Sequence, residues 1–360
     1  MSEPGQGGTT RQEIFQQPEL WPTTLVRVDE ASMRFNLRAR LAEKRVLFTG
    51  AGTSAYAARA VAAAGVDCLA VPTTDLLIDT ERYLAGVDVM VSLARSGGSP
   101  ESAAVVERVR ALRPDIFQLA ITCNPKSALA RSVLDGILLL DPRTNDRSLV
   151  MTSSFSNLVL AGQALLRRHA VGEAVHICAR HGRSVLPAID EACRSVAKAT
   201  RERIVMLSSS PLQAWAQEAG LKALEMTAGA FPVVTETFLG LRHGPMSFVR
   251  GDTLVIALLS SDPLRRLYEQ DLLRELKAKR IGYLVGIADA GNSSDLFDAV
   301  IPAMAPRLPD ELRTPFEIVA AQLFGYHLSL LKGTDPDNPS PGGVINRVVQ
   351  GVTIHPMRPV

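Results

Sequence analysis

Cysteine is scarce in this sequence and scattered: Cys68, Cys123, Cys178 and Cys193 form no CxxC pair. Thiols so far apart argue against a disulfide framework and against a zinc knuckle, and a reducing cytoplasm is the expected setting. Aromatic residues are few, 5% of 360, while apolar residues as a whole reach 46%. That is the profile of an α/β protein rich in Ala, Val and Leu. No apolar run approaches the roughly 20 residues that span a bilayer. The opening MSEPGQGGTT has neither a basic nor an apolar signal region, so a flexible tail and no membrane partner are expected. An excess of one charge is missing too. Lys and Arg number 39 against 37 Asp and Glu, which leaves no electrostatic footprint for nucleic acid. The six histidines show no HxxxH or HExxH spacing, so no metal site is expected.

What is present is an alternation of short aliphatic runs with helical stretches, the pattern of parallel βαβ units. The order of events repeats at an offset of roughly 160 residues, which marks a duplicated module. Arg45–Thr49 opens a strand followed by a small-residue turn and an Ala-rich helix; Arg203–Leu207 does the same, followed by Ser208, Ser209, Ser210 and a helix over Leu212–Thr227. Asp88–Ser92 leads into a Gly/Ser loop and a charged helix, as Asp252–Ile256 leads into Ser260, Ser261, Asp262, Pro263 and another. Strands at Gln118–Thr122 and Ile137–Leu140 match strands at Tyr283–Ile287 and Ala299–Ala303. Each half closes on a long apolar helix, near Ser154–Arg167 and Phe316–Leu331. This reading divides the chain into an N-terminal tail and helix (1–44), a first module (45–168), a helical linker (169–201), a second module (202–332) and a C-terminal tail (333–360) with a strand-like run at Val348–Ile354. On the linker His176, Arg180, Arg183, Glu191 and Arg194 are expected on the wet side.

Ligands of open parallel sheets sit at the carboxyl ends of the strands, where helix N-termini aim backbone N–H groups at anions. Three loops of the first half stand there. Gly50-Ala51-Gly52-Thr53-Ser54 permits close backbone approach, but lacks the third glycine of the dinucleotide fingerprint and the lysine of a P-loop. Arg95-Ser96-Gly97-Gly98-Ser99-Pro100-Glu101-Ser102 is the stronger phosphate candidate, with three hydroxyls around a glycine pair and Arg95 as a charge partner. The third runs from Asp146 through Thr152, Ser153 and Ser154, whose hydroxyls could equally cap a helix. The duplicate loops do not keep this chemistry: Ser208–Ser210 has no glycine, and Ser260–Pro263 carries the Asp262 carboxylate, which would repel phosphate. In the second half, Glu218, Lys222 and Glu225 are spaced to share one face of an otherwise apolar helix. Such a stripe is either a solvated ion pair or a cleft-facing site. His243 follows in the Gly/Pro-bracketed loop Gly240-Leu241-Arg242-His243-Gly244-Pro245, a position that also suits an ordinary surface histidine.

Taken together, GAGTSAYAA, ARSGGSPES, KALE and LRHGP resemble the SIS (sugar isomerase) family of phosphosugar isomerases. Within it, EIFQQPELW, VPTTDLL, TCNPKSALA, TNDRSLVMTSSFS and DPDNPSPGGVINRVVQGVTIHP are similar to the AgaS-type branch, named as tagatose-6-phosphate ketose/aldose isomerases or galactosamine-6-phosphate deaminase/isomerases. The resemblance implies two tandem SIS modules, each a parallel five-stranded flavodoxin-like sheet flanked by helices. It implies that Ser96 and Ser99, with the backbone around Gly97, hold a sugar phosphate that Gly52, Thr53, Ser54 and Thr152 also face. It further implies that Glu225 moves a proton between C1 and C2, that Lys222 orients it or stabilises an enolate, and that His243 assists ring opening from a neighbouring subunit of a homodimer. No metal or organic cofactor is implied. The pattern departs from the related glucosamine-6-phosphate synthase in having no N-terminal cysteine within residues 1–44, Gln350 where that enzyme has a tail lysine, and Ser208–Ser210 where glycines are usual. The expected activity is deamination and isomerisation of galactosamine 6-phosphate. Plain aldose–ketose isomerisation and a non-catalytic phosphosugar sensor are the alternatives.

Overall fold

The computed structural model describes residues 7–200, 202–288, 295–305 and 307–356. The first six residues of the expected N-terminal tail therefore lie outside it. Two parallel five-stranded sheets form the frame. The first holds β1 (Val46–Gly50), β2 (Cys68–Pro72), β3 (Val89–Ala94), β4 (Phe117–Thr122) and β5 (Gly136–Leu139), in the order β2-β1-β3-β4-β5. The second holds β6 (Arg203–Ser208), β7 (Val233–Glu236), β8 (Thr253–Leu258), β9 (Tyr283–Ala288) and β10 (Ala299–Pro302), in the order β7-β6-β8-β9-β10. The two orders are the same winding, the doubly wound arrangement that puts ligands at the carboxyl ends of its central strands.

Three helices precede β1: α1 (Gly8–Phe15), α2 (Gln17–Phe35) and α3 (Leu37–Leu41). In the first half follow α4 (Thr53–Ala62), α5 (Thr73–Ile78), α6 (Thr80–Tyr83), α7 (Pro100–Leu112) and α8 (Ala128–Arg131). The long α9 (Ser153–Ala199) bends at Arg167, whose φ of −138° and ψ of 53° leave the helical region. The expected closing helix and linker are thus one helix in two segments, and the five linker residues expected to be wet face solvent at least in part. The second half adds α10 (Gln213–Met226), α11 (Phe238–Leu241), α12 (Pro263–Lys279) and α13 (Asp310–Leu331). Among the described residues the run Val348–Ile354 pairs with no strand, and it lies mostly exposed.

Burial explains why continuous aliphatic runs become strands here. β1, β3 and β8 are buried along their whole length, as a parallel sheet covered on both faces requires. Each such Leu or Ile contributes about 1.5–3 kcal/mol relative to exposure. Alternate residues serve different faces. Ile204, Met206, Leu254 and Ile256 face Ala216, Ala219 and Ala223 of α10. Val205, Leu207, Val255 and Ala257 face Phe238 and Leu241 of α11 and Leu272 of α12. The helices α10 and α11 therefore lie on opposite sides of the second sheet. The halves are joined by α2, α9 and α13. Trp21 packs edge-on against Phe316 at 5.0 Å, and Gln17 donates to Gln322 at 2.7 Å.

Candidate active site

The helix α10 carries its three charges where two modules meet. Glu218 and Lys222 are both fully buried, and Glu225 keeps 23% of its side chain exposed. Lys222 Nζ lies 2.6 Å from Glu225 Oε2 and 3.3 Å from Glu218 Oε1. It also donates to Thr53 Oγ1 at 3.2 Å, and Thr53 in turn donates to Glu218 Oε1 at 3.3 Å. The stripe is thus no solvated ion pair but a buried cluster tied to the first residue of α4. Burial drives the Glu218 carboxyl up to about 7 against the pull of Lys222, with the charge of Glu225 adding to the rise. Burial alone would lower the Lys222 pKa, but the two carboxylates outweigh it and hold the ammonium above its ordinary value.

Through Lys222, the partly open carboxylate of Glu225 is linked to Thr53 at the carboxyl end of the first sheet. Its charge is felt at Arg95, beside Ser96. In that loop Ser96 and Ser99 are half-buried and Gly98 is exposed. Gly97 has a φ of +57°, and a Cβ there would stand 2.6 Å from Ser127 Oγ; only glycine allows the loop to turn this tightly. The helices α4 and α7 both start without a side-chain cap; the N–H groups of Ser54, Ala55 and Ser102 turn back onto backbone carbonyls, which leaves those of Thr53 and Glu101 for a ligand. Gly52, the N-cap of α4, is exposed with nothing near the space a Cβ would fill.

Several expected phosphate ligands are placed differently. Arg95 is buried, and its guanidinium donates to the carbonyls of Ser148, Leu149 and Arg347 at 3.0–3.2 Å. It staples loops together, because a buried guanidinium is satisfied most cheaply by nearby carbonyls. Thr53 belongs to the charge cluster, and Ser54 is buried with its hydroxyl on Met151 Sδ. Thr152 is fully buried and donates to Asp146. Asp146 also takes the N–H groups of Thr152, Ser153 and Ser154 at 2.8–3.2 Å. The third loop is therefore a helix start capped by an internal carboxylate, the other reading its hydroxyls allowed.

His243 lies exposed after α11, and its imidazole makes no hydrogen bond among the described residues. The α11 helix that leads to His243 and the α10 helix that carries Glu225 pack on opposite faces of the second sheet. Two further contributors were not assigned a role from the sequence. Glu218 stood on the charged stripe, but only burial distinguishes it. Arg347 donates to Asn145 Oδ1 at 2.7 Å and to the Asp146 carbonyl at 3.0 Å, and a Cβ on Gly98 would stand 3.3 Å from the next residue, Val348. The C-terminal segment thus runs over the Ser96–Ser99 loop. Among the described residues no group of His, Cys, Asp and Glu gathers as a metal site, and no helix is long and apolar enough to cross a membrane.

No family model matches the chain. Among curated proteins, the D-galactosamine-6-phosphate deaminase AgaS of Escherichia coli is 36% identical over 97% of this chain and 96% of its own. The D-galactosamine-6-phosphate deaminase AgaS of Shewanella sp. is 35% identical over 96% of this chain and 92% of its own. Among solved structures, the tagatose-6-phosphate ketose/aldose isomerase from Escherichia coli superposes with a TM-score of 0.88 at 32% identity, over 98% of both chains.

Proposed function

The chain belongs to the AgaS-type branch of the sugar isomerase family, and we propose that it converts galactosamine 6-phosphate to tagatose 6-phosphate and ammonia. The observation that carries this reading is the partly open Glu225 carboxylate, held at 2.6 Å by a fully buried Lys222 that also donates to Thr53 of the first module. We assign residues 45–168 and 202–332 as the two modules, joined by 169–201 and flanked by 1–44 and 333–360.

In this mechanism Ser96, Ser99 and the backbone of Gly52 and Gly97 hold the phosphate, and His243 promotes opening of the sugar ring. The free aldehyde acidifies the C2 proton. Glu225 removes that proton, the electron pair forms a C1–C2 double bond, and the carbonyl oxygen takes a proton from the substrate's own ammonium group. Glu225 then returns its proton to C1, which leaves an imine at C2. Water adds to that imine, ammonia departs, and the ketose remains. The substrate's own carbonyl takes up the electrons. Lys222 is a positioning residue: fully buried, it aims Glu225 by its 2.6 Å bond without reaching the sugar. Glu225 suits the shuttle because one carboxylate can reach two adjacent carbons in turn.

His243 enters from a second copy of the chain. Its exposure, its free ring and the packing of α11 across the sheet from α10 support a homodimer in which each site takes the base from one subunit and the imidazole from the other. Plain isomerisation has the name of the superposed Escherichia coli structure in its favour. Incubation with galactosamine 6-phosphate decides between them: ammonia released in step with ketose supports deamination, and ketose formed only from nitrogen-free aldose phosphates refutes it.

A further inference from the structure

The second module repeats the phosphate loop, yet the loop is filled from within. β3 and β8 hold the same place in their sheets. Each leads into a serine-bearing loop and a helix that begins with proline, α7 at Pro100 and α12 at Pro263. In the first module Ser99 donates to Glu101 and Ser96 Oγ accepts from the Gly98 N–H, so both hydroxyls are engaged only within their own loop and no side chain from the rest of the described residues bonds to them. In the second, Ser260 and Ser261 both donate to Asp310, the first residue of α13. The Ser261 N–H adds a bond of 2.7 Å, and Arg265 and Arg313 each place a guanidinium nitrogen 3.1 Å from an Asp310 oxygen. Two hydroxyls, a backbone N–H and two guanidinium groups are the partners a phosphate dianion would choose.

Asp310 is 2% exposed, so the carboxylate is part of the interior. Asp262, the carboxylate expected to repel phosphate, instead caps α12 by accepting from the Arg265 N–H at 2.9 Å. The matching first residue of α9 is Ser153, whose short side chain is turned to Asp146 at 2.6 Å and leaves the first module's loop alone. Beside Arg265 runs a cleft of about 950 Å³, bordered by Ser210, Pro211, Glu311, Lys44 and Arg167. Arg265 borders this cleft on one side and reaches Asp310 on the other, and the side chain of Asp310 is what fills the cradle.

We propose that the second module retains a sugar-phosphate cradle formed by Ser260, Ser261, Arg265 and Arg313, which Asp310 closes by taking the place of the phosphate, so that each chain binds one phosphosugar and not two. The proposal rests on the reading that the Ser96–Ser99 loop holds phosphate. Inorganic phosphate titrated calorimetrically is expected to fill one site per wild-type chain and two per Asp310→Ser chain. Placed on Ser96→Ala/Ser99→Ala, Asp310→Ser should leave one site, which Arg265→Ala then removes. An Asp310→Ser chain that gains no site overturns the proposal. Failure of the front-loop reading looks different: Ser96→Ala/Ser99→Ala alone would retain a site indifferent to Arg265→Ala. Should Asp310→Ser not fold, the native Asp310 chain still decides. A phosphate site there that survives Ser96→Ala/Ser99→Ala but is lost on Arg265→Ala means the cradle is open and overturns the proposal; its absence supports it.

Discussion

Replacing Glu225 with glutamine separates catalysis from folding. Glutamine keeps the volume of the side chain, and its amide oxygen can still accept from Lys222 Nζ, now 2.6 Å away. Lys222 also keeps Glu218 at 3.3 Å, so no buried charge is orphaned. The structural cost is the difference between a charged and a neutral acceptor at a partly exposed position, about 1 kcal/mol. In a chain of this size that lowers the melting temperature by about 2 °C. Turnover should fall far more. Loss of a general base costs about 10²–10⁴ in rate, which is about 2.7–5.4 kcal/mol at the transition state. Ammonia release followed with a coupled dehydrogenase, beside a thermal melt, reads both quantities. A variant that keeps more than about a tenth of wild-type turnover refutes Glu225 as the base. So does an activity loss that only accompanies a collapse of the melt, since the residue would then be structural.

Lys222→Met should cost about 3–5 kcal/mol in denaturant unfolding, because it leaves the fully buried Glu218 without its cation; adding Glu218→Gln should restore much of that loss, and strict additivity would contradict the coupling. Stability should also depend on pH through Glu218. Its folded pKa of about 7 lies above the ordinary 4.5, so the folded state holds the proton more tightly. Its contribution is full below about 4.5 and is lost as pH rises to about 7, a change of about 3 kcal/mol. Unfolding curves across that range should lose this slope in Glu218→Gln, and an unchanged slope counts against the assignment. Mixing inactive Glu225→Gln and His243→Ala chains should restore about a quarter of wild-type activity if subunits reassort at random; no recovery after verified exchange would place His243 outside the partner's site.

The doubly wound architecture was legible because it is written in local terms. Continuous aliphatic runs, turn residues and the order of their repetition survive into strands whatever the rest of the chain does. The tight turn at Gly97 was legible for the same reason, since a glycine pair after a buried strand marks a place where the backbone must turn closely. Long-range partners were not. Asp146 lies several residues from the N–H groups it caps, and Arg347 lies in a tail whose course over the first module no periodicity records. Arg95 looked like a ligand for phosphate because sequence shows a charge beside a loop but not the carbonyls that surround it. Glu218 differs from a surface glutamate only in being buried, and Asp310 comes to Ser260 from fifty positions further along the chain.

The second sheet stands as a wall between α11, which leads to His243, and α10, which carries Glu225, and on the proposed reading this turns a catalyst into a gauge of its own abundance. Two chains must meet before either can work, so specific activity should fade on dilution, following the pairing equilibrium. A cell that makes little of this protein would then hold mostly idle halves, while a modest rise in expression would bring activity up more steeply than the amount of polypeptide.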